Sequence, residues 1–302
     1  MGEGMAKKVV WALDKIVAYA LVAALCLPLV MGCYALWDSH VVHERANVTQ
    51  WQPYKPTEPE PLSFWELQRI NPEVRAWLSV YGTNIDYPVC QPTPKEEEKY
   101  LTTDAKGEYS LSGALYIDAR DAGDFSDFAT IVYGHHMENE VMFGSITSFA
   151  SKEFFDEHRY GNLFVNDEDY GLEFFCYLDA DAYDRSIYGR ESREKSKWKS
   201  YLDVLRKRSQ HWRDGVELTA DDHIVLLSTC SAGYTNARVI LVGRICNERF
   251  KNPFVKIPNL GTGVDEQEGW LGIPYWCWVA LLVLVLLITA IAKAKRDTST
   301  HE

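Results

Sequence analysis

Three residues in the sequence carry the side chains that thiol-based acyl transfer needs. Cys230 ends the apolar run 224–230, so its thiol is expected at a strand end that faces a groove. His135 follows the apolar run 131–133 and a glycine, and an imidazole donates and accepts protons near neutral pH. Arg238 begins the next strand, and a guanidinium can hold a developing oxyanion. These residue types alone do not establish a site, because a single cysteine is more often a buried thiol than a nucleophile.

The other cysteines and a group of carboxylates carry weaker chemical signals. Four of the seven cysteines lie between the two apolar ends of the chain, where they could form two disulfides, although no pair has the spacing of a metal site. Cys176 and Cys246 lie in apolar runs and are expected to be buried free thiols. An acidic loop fits no familiar calcium loop, and a solvated turn is favoured for Asp118, Asp121, Asp124 and Asp127. No cofactor or metal is predicted.

Short apolar runs must position the candidate residues, and their pattern is that of β-strands. The runs are rich in β-branched and aromatic residues, and Gly, Asn and Asp separate most of them. Seven or so strands in about 170 residues predict a barrel or a sandwich. The predicted strands are 85–89, 114–117, 130–133, 163–165, 172–178, 224–228 and 239–245.

Helices are predicted before and between these strands. Ser63 and Glu66 fit a capping box that begins a helix at residue 63. A second helix is expected from Asn71, with a proline at its first position and apolar residues at a 3.6-residue period as far as Leu78. A third helix over 193–213 is expected to bury one apolar face and to expose lysines and arginines on the other.

Charge and hydropathy exclude a general nucleic-acid binder and indicate a membrane protein. The formal net charge of the 302 residues is −12, whereas phosphate contacts need a basic face. The uncharged runs 16–37 and 273–292 are each long enough to cross a hydrocarbon core of about 30 Å. Basic residues flank both runs on their terminal sides, so both termini are predicted to be cytoplasmic. A cleaved signal peptide and a lipoprotein signal at Cys33 are the alternatives for the first run.

The same features divide the chain into seven segments. Prolines space the polar stretch 38–61 and favour an extended, polyproline-like stalk over a packed element. The predicted order is a cytoplasmic N-terminus 1–15, a transmembrane helix 16–37, an extracellular Pro-rich stalk 38–61, a folded exterior domain 62–250, a linker 251–272, a transmembrane helix 273–292 and a cytoplasmic tail 293–302.

The sequence around the candidate residues resembles the sortase family, which are surface transpeptidases of mainly Gram-positive bacteria. The likeness covers roughly residues 62–250, and both the segment 82–89 and the helix predicted over 193–213 resemble class B sortases. The motifs that carry it are Leu227-Ser228-Thr229-Cys230 with Arg238, Tyr133-Gly134-His135-His136-Met137, Met142-Phe143-Gly144 and Gly82-Thr83-Asn84-Ile85-Asp86-Tyr87-Pro88-Val89.

The resemblance implies a mainly β fold and a three-residue active site. The expected fold is a closed eight-stranded sortase-type β-barrel with N-terminal helices and one inserted helix, flanked by two transmembrane helices. Cys230 is the implied nucleophile, His135 the acid/base and Arg238 the stabiliser. Neighbouring residues of extended chain point to opposite sides, so only one of two adjacent histidines can face the groove. The family motif selects His135 and leaves His136 in a supporting or surface role.

The resemblance also implies partners and a reaction. The partners are sorting-signal peptides of secreted surface proteins or pilins, an amine from a peptidoglycan precursor or a pilin, and the membrane, with no nucleic acid. The expected reaction passes through a thioester on Cys230, which an amine of the cell wall resolves. The C-terminal span is more usual among pilus-assembling class C enzymes, so a pilin lysine is an alternative acceptor. A surface cysteine protease, in which water resolves the thioester, is another alternative, and a non-catalytic receptor would need a missing member of the triad.

Overall fold

The chain begins with one long helix. The structure is a computed structural model that describes residues 2–57, 60–137, 140–230 and 236–254. Helix α1 spans Gly2–Ala46, and its segment Gly4–Ser39 is long and apolar enough to cross a membrane, with none of its most apolar stretch buried. The predicted span 16–37 therefore lies within a helix. The predicted span 273–292 lies outside the described residues.

The segment expected to be an extended stalk is mostly folded. Helix α1 continues to Ala46, and two 3₁₀ turns follow at Val48–Gln50 and Gln52–Tyr54. Trp51 is only 3 % exposed, because it joins the hydrophobic core together with Ala46. Burial of the indole side chain stabilises the packed conformation by several times the thermal energy. This gain outweighs the preference of the neighbouring prolines for an extended backbone. The stalk prediction for 38–61 is therefore wrong for 38–54.

The folded domain is a closed β-barrel of eight strands with a ninth at its side. The strand order around the barrel is β5-β1-β2-β3-β4-β8-β9-β6, and pairing of β5 with β6 closes it. Strand β7 pairs with β6 beyond the part of β6 that pairs with β5. The pairs β2–β3 and β4–β8 are parallel, and the other pairs are antiparallel. The strands are β1 Val74–Val80, β2 Asp86–Cys90, β3 Leu115–Ile117, β4 Ala129–Tyr133, β5 Tyr160–Val165, β6 Glu168–Asp181, β7 Ser209–Trp212, β8 His223–Cys230 and β9 Ala237–Cys246. This confirms the predicted eight-stranded barrel.

One of the two predicted N-terminal helices is correct. Helix α2 spans Leu62–Ile70, but the Ser63 hydroxyl donates to the carbonyl of Lys55 instead of capping the helix. The second predicted helix, from Asn71, is wrong, because Val74–Val80 is strand β1. All but one residue of β1 are buried, and β1 pairs with β2 on one side and β5 on the other. A strand that is buried on both faces is apolar at nearly every position, so its sequence also matches the 3.6-residue period of a helix.

Alternate residues of the strands enter two separate cores. On β8, Val225 and Leu227 join the core that fills the barrel, whereas Ile224 and Leu226 join a second core on the outer face. An insertion between β6 and β7 covers that outer face and contains α4 Arg185–Tyr188 and α5 Trp198–Arg208. The predicted helix 193–213 is thus shorter, because Ser209–Trp212 pairs with β6. The remaining helix, α3, spans Lys152–Glu157.

A buried ion pair fixes the insertion to the barrel. The side chains of Arg193 and Asp121 are 4 % and 1 % exposed. The guanidinium donates to both carboxylate oxygens, at 3.0 and 3.2 Å, and to the carbonyl of Ala129 at 2.6 Å. Removing one partner would leave the other charge buried without compensation, which is strongly destabilising. The β3–β4 loop, strand β4 and the insertion are therefore held in one arrangement.

Asp86 holds the segment after α1 against the barrel. Its carboxylate accepts from Trp77 Nε1 at 2.7 Å and from the Ser79 hydroxyl at 2.6 Å. It also accepts from Lys55 Nζ at 2.6 Å and from Gln52 Nε2 at 2.9 Å, and both of these donors lie in that segment. Burial opposes ionisation of Asp86, but Lys55 and the hydrogen bonds outweigh burial and lower its pKa.

We expect Asp86→Asn to lower the free energy of unfolding by about 1–3 kcal/mol at neutral pH, because buried donors lose a charged acceptor. Most of the loss should come from the Trp77 and Ser79 donors, since Lys55 is 39 % exposed and its charge is screened. The pKa of Asp86 is lower in the folded protein than in the unfolded chain, where it is about 3.9. The carboxylate therefore stabilises the fold at pH values above about 3.9, and this stabilisation is lost as the pH falls through the folded-state pKa. The difference between variant and wild type should therefore narrow in acid, as measured by chemical denaturation.

A matched control replaces the aspartate of an exposed Trp–Asp hydrogen bond. Asp167 accepts from Trp65 Nε1 at 2.6 Å and has a positive φ of 62°, which asparagine tolerates well. Asp167→Asn should change the free energy of unfolding by less than about 0.5 kcal/mol. Equal losses in the two variants would show that the Asp86 carboxylate contributes no more to stability than an exposed acceptor does.

Candidate active site

Cys230 lies where the sequence predicts it, at the exposed end of β8. Its side chain is solvent-exposed, whereas Leu226 and Leu227 of the same strand are completely buried. Alternation along β8 places Cys230 on the same face as Ile224, Leu226 and Ser228. That is the outer face of the barrel. The thiol is therefore accessible at the point where the insertion no longer covers the sheet.

Arg238 is the direct cross-strand neighbour of Cys230. The antiparallel register of β8 and β9 pairs the two residues at the open end of the ladder. Side chains of such a pair lie on the same face, with Cβ atoms about 4.5–5.5 Å apart. Arg238 is half-buried, and its Nη1 donates to the carbonyl of Ala237 at 3.0 Å. A fixed cation thus lies beside the thiol.

His135 reaches the same edge through the parallel pairing of β4 with β8. The register pairs Tyr133 with Ser228, and the Gly134 amide continues the ladder by donating to the carbonyl of Ser228 at 3.2 Å. Two residues further on each chain, the same register brings His135 beside Cys230. Alternation along β4 also keeps His135 on the outer face with Ile131 and Tyr133.

The glycine before the histidine is required by close packing. A Cβ on Gly134 would lie 2.5 Å from Leu115 Cδ2 and 2.7 Å from Phe143 Cδ2, which is far inside van der Waals contact. A larger residue would push the end of β4 away from the barrel interior. Packing against the barrel interior therefore requires glycine at position 134. The imidazole of the next residue, His135, lies on the opposite side of the chain.

The two histidines have different surroundings. His135 is half-buried, its Nε2 lies 2.9 Å from the carbonyl of Leu101, and its own carbonyl accepts from the Phe143 amide. His136 is exposed, and its backbone pairs with Met142 in a short bridge. The structure thus brings Cys230, Arg238 and His135 to one edge of the sheet, and His136 points away from that face.

A row of stacked tyrosines begins at the completely buried Tyr100 and continues through three half-buried rings next to these residues. The rings of Tyr100 and Tyr116, of Tyr116 and Tyr133, and of Tyr133 and Tyr188 have centroids 6.5, 5.4 and 6.4 Å apart. The Tyr188 hydroxyl lies 2.9 Å from the Ser228 hydroxyl, two residues before Cys230. Burial raises the pKa of Tyr116 and of Tyr188 to about 12, so both phenols stay neutral. No pattern in the sequence predicts this row, because its members come from four separate segments.

The other described cysteines are unsuited to nucleophilic chemistry. Cys90 and Cys176 are completely buried, and burial raises the pKa of both thiols far above the usual range. Burial also raises the pKa of the half-buried Cys246. All six described cysteines are free thiols, so the two disulfides considered from the sequence do not form among them. Cys230 is the exposed thiol of the barrel domain, as far as the structure describes it.

Neither the acidic loop nor the cavity next to the β5–β6 turn offers a comparable constellation, and in a second cavity, lined by His223, Arg244 and Cys246, burial raises the pKa of the thiol. Asp118 pairs with Arg120, Asp121 pairs with Arg193, and Asp127 accepts from a backbone amide. In the described ranges, no group of three or more His, Cys, Asp or Glu residues could hold a metal ion. A cavity of about 550 Å³ next to the β5–β6 turn is lined by Phe164, Asp167 and other residues, none of which is a cysteine or histidine. Strand register, and not cavity size, therefore identifies the candidate site.

Comparisons with known proteins identify relatives of the chain. No family model matches the chain. The chain is 28 % identical over 182 residues to sortase B of Listeria monocytogenes, a match that covers 60 % of this chain and 72 % of that protein. It is 44 % identical to the crystal structure of sortase B from the type II pilus of Streptococcus pneumoniae, with a TM-score of 0.52 and coverage of 61 % of this chain and 98 % of that one.

A second solved structure has a similar relation to the chain. Sortase B of Clostridium perfringens is 33 % identical, with a TM-score of 0.56, and the match covers 60 % of this chain and 98 % of that one. Two relatives above 30 % identity are thus matched over nearly their whole length by the part of the chain that forms the barrel. The chain belongs to the class B sortases and is a cysteine transpeptidase.

Proposed function

We propose that Cys230, His135 and Arg238 are the catalytic residues of a membrane-anchored sortase that cleaves the C-terminal sorting signal of secreted proteins and joins the acyl group to an amine of the cell wall. The observation that carries this proposal is the convergence of three strand ends. An exposed thiol ends β8, its cross-strand partner on β9 is an arginine, and the parallel register of β4 brings a histidine to the other side.

The first half of the reaction forms a thioester. The Cys230 sulfur attacks the carbonyl carbon of the scissile peptide bond, and the electron pair of the C=O bond moves to oxygen. The Arg238 guanidinium, with a backbone amide near Cys230, stabilises this oxyanion. The carbonyl then reforms, the C–N bond breaks, and His135 gives its proton to the departing amine. The acyl group remains on the sulfur.

The second half of the reaction reverses the roles. An incoming amine attacks the thioester carbonyl, and the same donors hold the second oxyanion. His135 accepts a proton from the attacking nitrogen, the C–S bond breaks, and the Cys230 sulfur leaves as the thiolate. The products are a new amide and the enzyme in its starting state. The atoms and electrons of the two half-reactions balance without an oxidant, a metal or a cofactor.

The tyrosine row supports an extended peptide as the substrate. The half-buried rings of Tyr116, Tyr133 and Tyr188 form an aromatic strip that leads towards Cys230. Such a surface accommodates side chains and backbone of extended chain without requiring many charged contacts. Staphylococcus aureus sortase B has been solved in complex with a substrate, and its structure shares this fold.

We also propose that the domain is extracellular and held by two membrane spans. Helix α1 contains a stretch suited to the first span. The basic residues that flank both apolar runs favour cytoplasmic termini, with the segments 1–15 and 293–302 inside and the exterior domain, 62–250, outside. The linker 251–272 and the second span, 273–292, remain sequence predictions.

A pilin-polymerising activity is the second candidate, and one comparison favours it. The relative with 44 % identity is a sortase from a type II pilus. In that reaction the acceptor would be a pilin lysine rather than a cell-wall peptide amine. Incubation of the full chain with a sorting peptide and each amine in turn, followed by mass spectrometry of ligated products, separates these acceptors from hydrolysis by water.

Cys230→Ala should reduce peptide cleavage by more than about 10³-fold, because the attacking sulfur is removed. It should also abolish the covalent acyl-enzyme, seen as a mass increase on the intact protein. Cys246→Ala is the matched control, since that thiol is half-buried at the opposite end of β9, and it should leave both readouts unchanged. Cleavage that survives in Cys230→Ala would overturn the assignment.

Arg238→Lys should lower kcat for transpeptidation by about 10²–10³-fold, because an ammonium ion cannot reproduce the forked donor geometry that holds an oxyanion. Arg244→Lys lies on the same strand and provides the control. Its guanidinium pairs with Glu173 at 2.7 Å, at the end of β9 remote from Cys230. Equal kcat values for the two variants would contradict the proposed role of Arg238.

His135→Ala should lower kcat by about 10²–10⁴-fold, the usual contribution of a general acid and base. His136→Ala should retain kcat within about threefold, because the exposed side chain of His136 points away from the Cys230 face. The two single variants are compared in a peptide cleavage assay at saturating substrate. The reverse result would assign the acid/base role to His136.

A further inference from the structure

The proton position on His135 follows from a hydrogen bond that its side chain makes to the main chain. Nε2 lies 2.9 Å from the main-chain carbonyl oxygen of Leu101. A carbonyl oxygen only accepts hydrogen bonds, so Nε2 must carry the proton in both the neutral and the charged ring. The lone pair of the neutral ring is then on Nδ1. This contact therefore selects which nitrogen atom exchanges protons with the reacting groups.

The Leu101 carbonyl belongs to a short turn that a buried hydroxyl anchors. The 3₁₀ turn Lys99–Leu101 lies between β2 and β3, and Tyr100 at its centre is completely buried. The Tyr100 hydroxyl donates to Glu73 Oε2 at 2.7 Å and accepts from Asn71 Nδ2 at 2.8 Å. Burial raises the pKa of Tyr100 far above its usual value, so the hydroxyl remains a donor.

The acceptor of that hydroxyl is an ionised carboxylate. Lys99 Nζ also donates to Glu73 Oε2, at 2.8 Å. Burial opposes the charge of Glu73, but the hydrogen bonds from Lys99 and Tyr100 outweigh burial and lower its pKa. A hydrogen bond to a charged acceptor is worth roughly twice one between neutral groups. The side chains of the turn are thus tied to residues just before β1.

The backbone of the turn is held from the other side as well. The amide of Ala114 donates to the Tyr100 carbonyl at 3.0 Å. Gly113 has a φ of +58°, and a Cβ there would lie 2.2 Å from the Tyr100 oxygen and 3.0 Å from the Leu101 oxygen. Only a glycine allows this approach. The Leu101 carbonyl is therefore aimed by contacts on both sides of the turn.

We propose that Tyr100 is a positioning residue for the acid/base: through Glu73 and Asn71 its hydroxyl fixes the Leu101 carbonyl, which holds His135 in the Nε2–H tautomer with Nδ1 directed to the reacting groups. The inference rests on the proposed catalytic role of His135. Tyr100 acts through the main chain of the turn that also carries the Leu101 carbonyl, and it is a positioning residue rather than a catalytic one. Cys230 and Arg238 lie at the same edge of the sheet as His135, and Glu98 and Lys99 lie in the turn that carries the Leu101 carbonyl.

The arrangement suits a group that must both donate and accept a proton. The Nε2–H···O=C hydrogen bond persists when Nδ1 gains or loses its proton, so the ring need not turn between the two half-reactions. A ring free to adopt the Nδ1–H tautomer would present a proton where the base needs a lone pair. A fixed tautomer therefore contributes to kcat and not to peptide binding.

The test is Tyr100→Phe in the full-length chain, purified in detergent and labelled with ¹⁵N-histidine. We expect kcat to fall about 10- to 100-fold, as for other small displacements of a catalytic group, and KM to stay within about twofold. In the wild type, the imidazole ¹⁵N shifts of neutral His135 should report the Nε2–H tautomer. In the variant they should report a mixture of the two tautomers. A His135→Ala sample assigns the resonances.

Two variants control for stability. Tyr81→Phe removes a hydroxyl that donates to the Phe250 carbonyl at 3.2 Å, just past the end of β1 remote from Glu73, and it should change neither kcat nor the ¹⁵N shifts. Glu73→Gln removes the charged acceptor but keeps its shape, and it should lower kcat in the same direction as Tyr100→Phe. Thermal unfolding of each variant identifies any that fail to fold.

Each result decides between the two proposals. A neutral His135 with its proton on Nδ1 in the wild type would overturn the inference regardless of any variant. Wild-type kcat and shifts in folded Tyr100→Phe would overturn it too. Full activity in His135→Ala would instead reject the proposed catalytic role, and an inactive His135→Ala with an unaffected Tyr100→Phe would reject only the positioning role.

Discussion

Parallel hydrogen bonding between β4 and β8 is the constraint on which the site depends. These strands are distant in sequence, and their register decides what lies beside the last residue of β8. Because side chains alternate along each strand, a shift of one residue would turn His135 to the barrel interior and bring His136 to the outer face. The apolar side chains of β4 and β8 prevent this shift, since each buries alternate residues in two different cores.

The outer face is covered over most of its area and open only at the strand ends. The α4–α5 insertion buries the apolar residues of β4, β8 and β9, and Tyr188 of α4 extends the tyrosine row to Ser228. The buried Arg193–Asp121 pair gains strength from the low dielectric around it but loses hydration, so its main effect is to fix one arrangement of the insertion. An accessible thiol beside a rigid aromatic surface results.

Local sequence patterns failed where tertiary burial outweighs local preference. Residues 74–80 fit a helical period because every position of a strand packed between two others is a candidate for burial. The prolines of 38–61 suggested an extended chain, yet Trp51 is buried and Asp86 holds the following residues through Gln52 and Lys55. The helix predicted to continue to residue 213 ends at Arg208, since Ser209–Trp212 pairs with β6 instead.

Most strands of the barrel, the inserted helix and the three residues proposed for catalysis could be predicted from the amino-acid sequence. This is possible because alternation and strand ends are local, and because the motifs around Cys230, His135 and Arg238 are specific. Two features became visible only in the folded chain: the stacking of Tyr100, Tyr116, Tyr133 and Tyr188 in one row, and the contact between the Leu101 carbonyl and His135. A backbone carbonyl has no residue type to read, and contacts between distant segments are fixed by barrel closure, which no local pattern encodes.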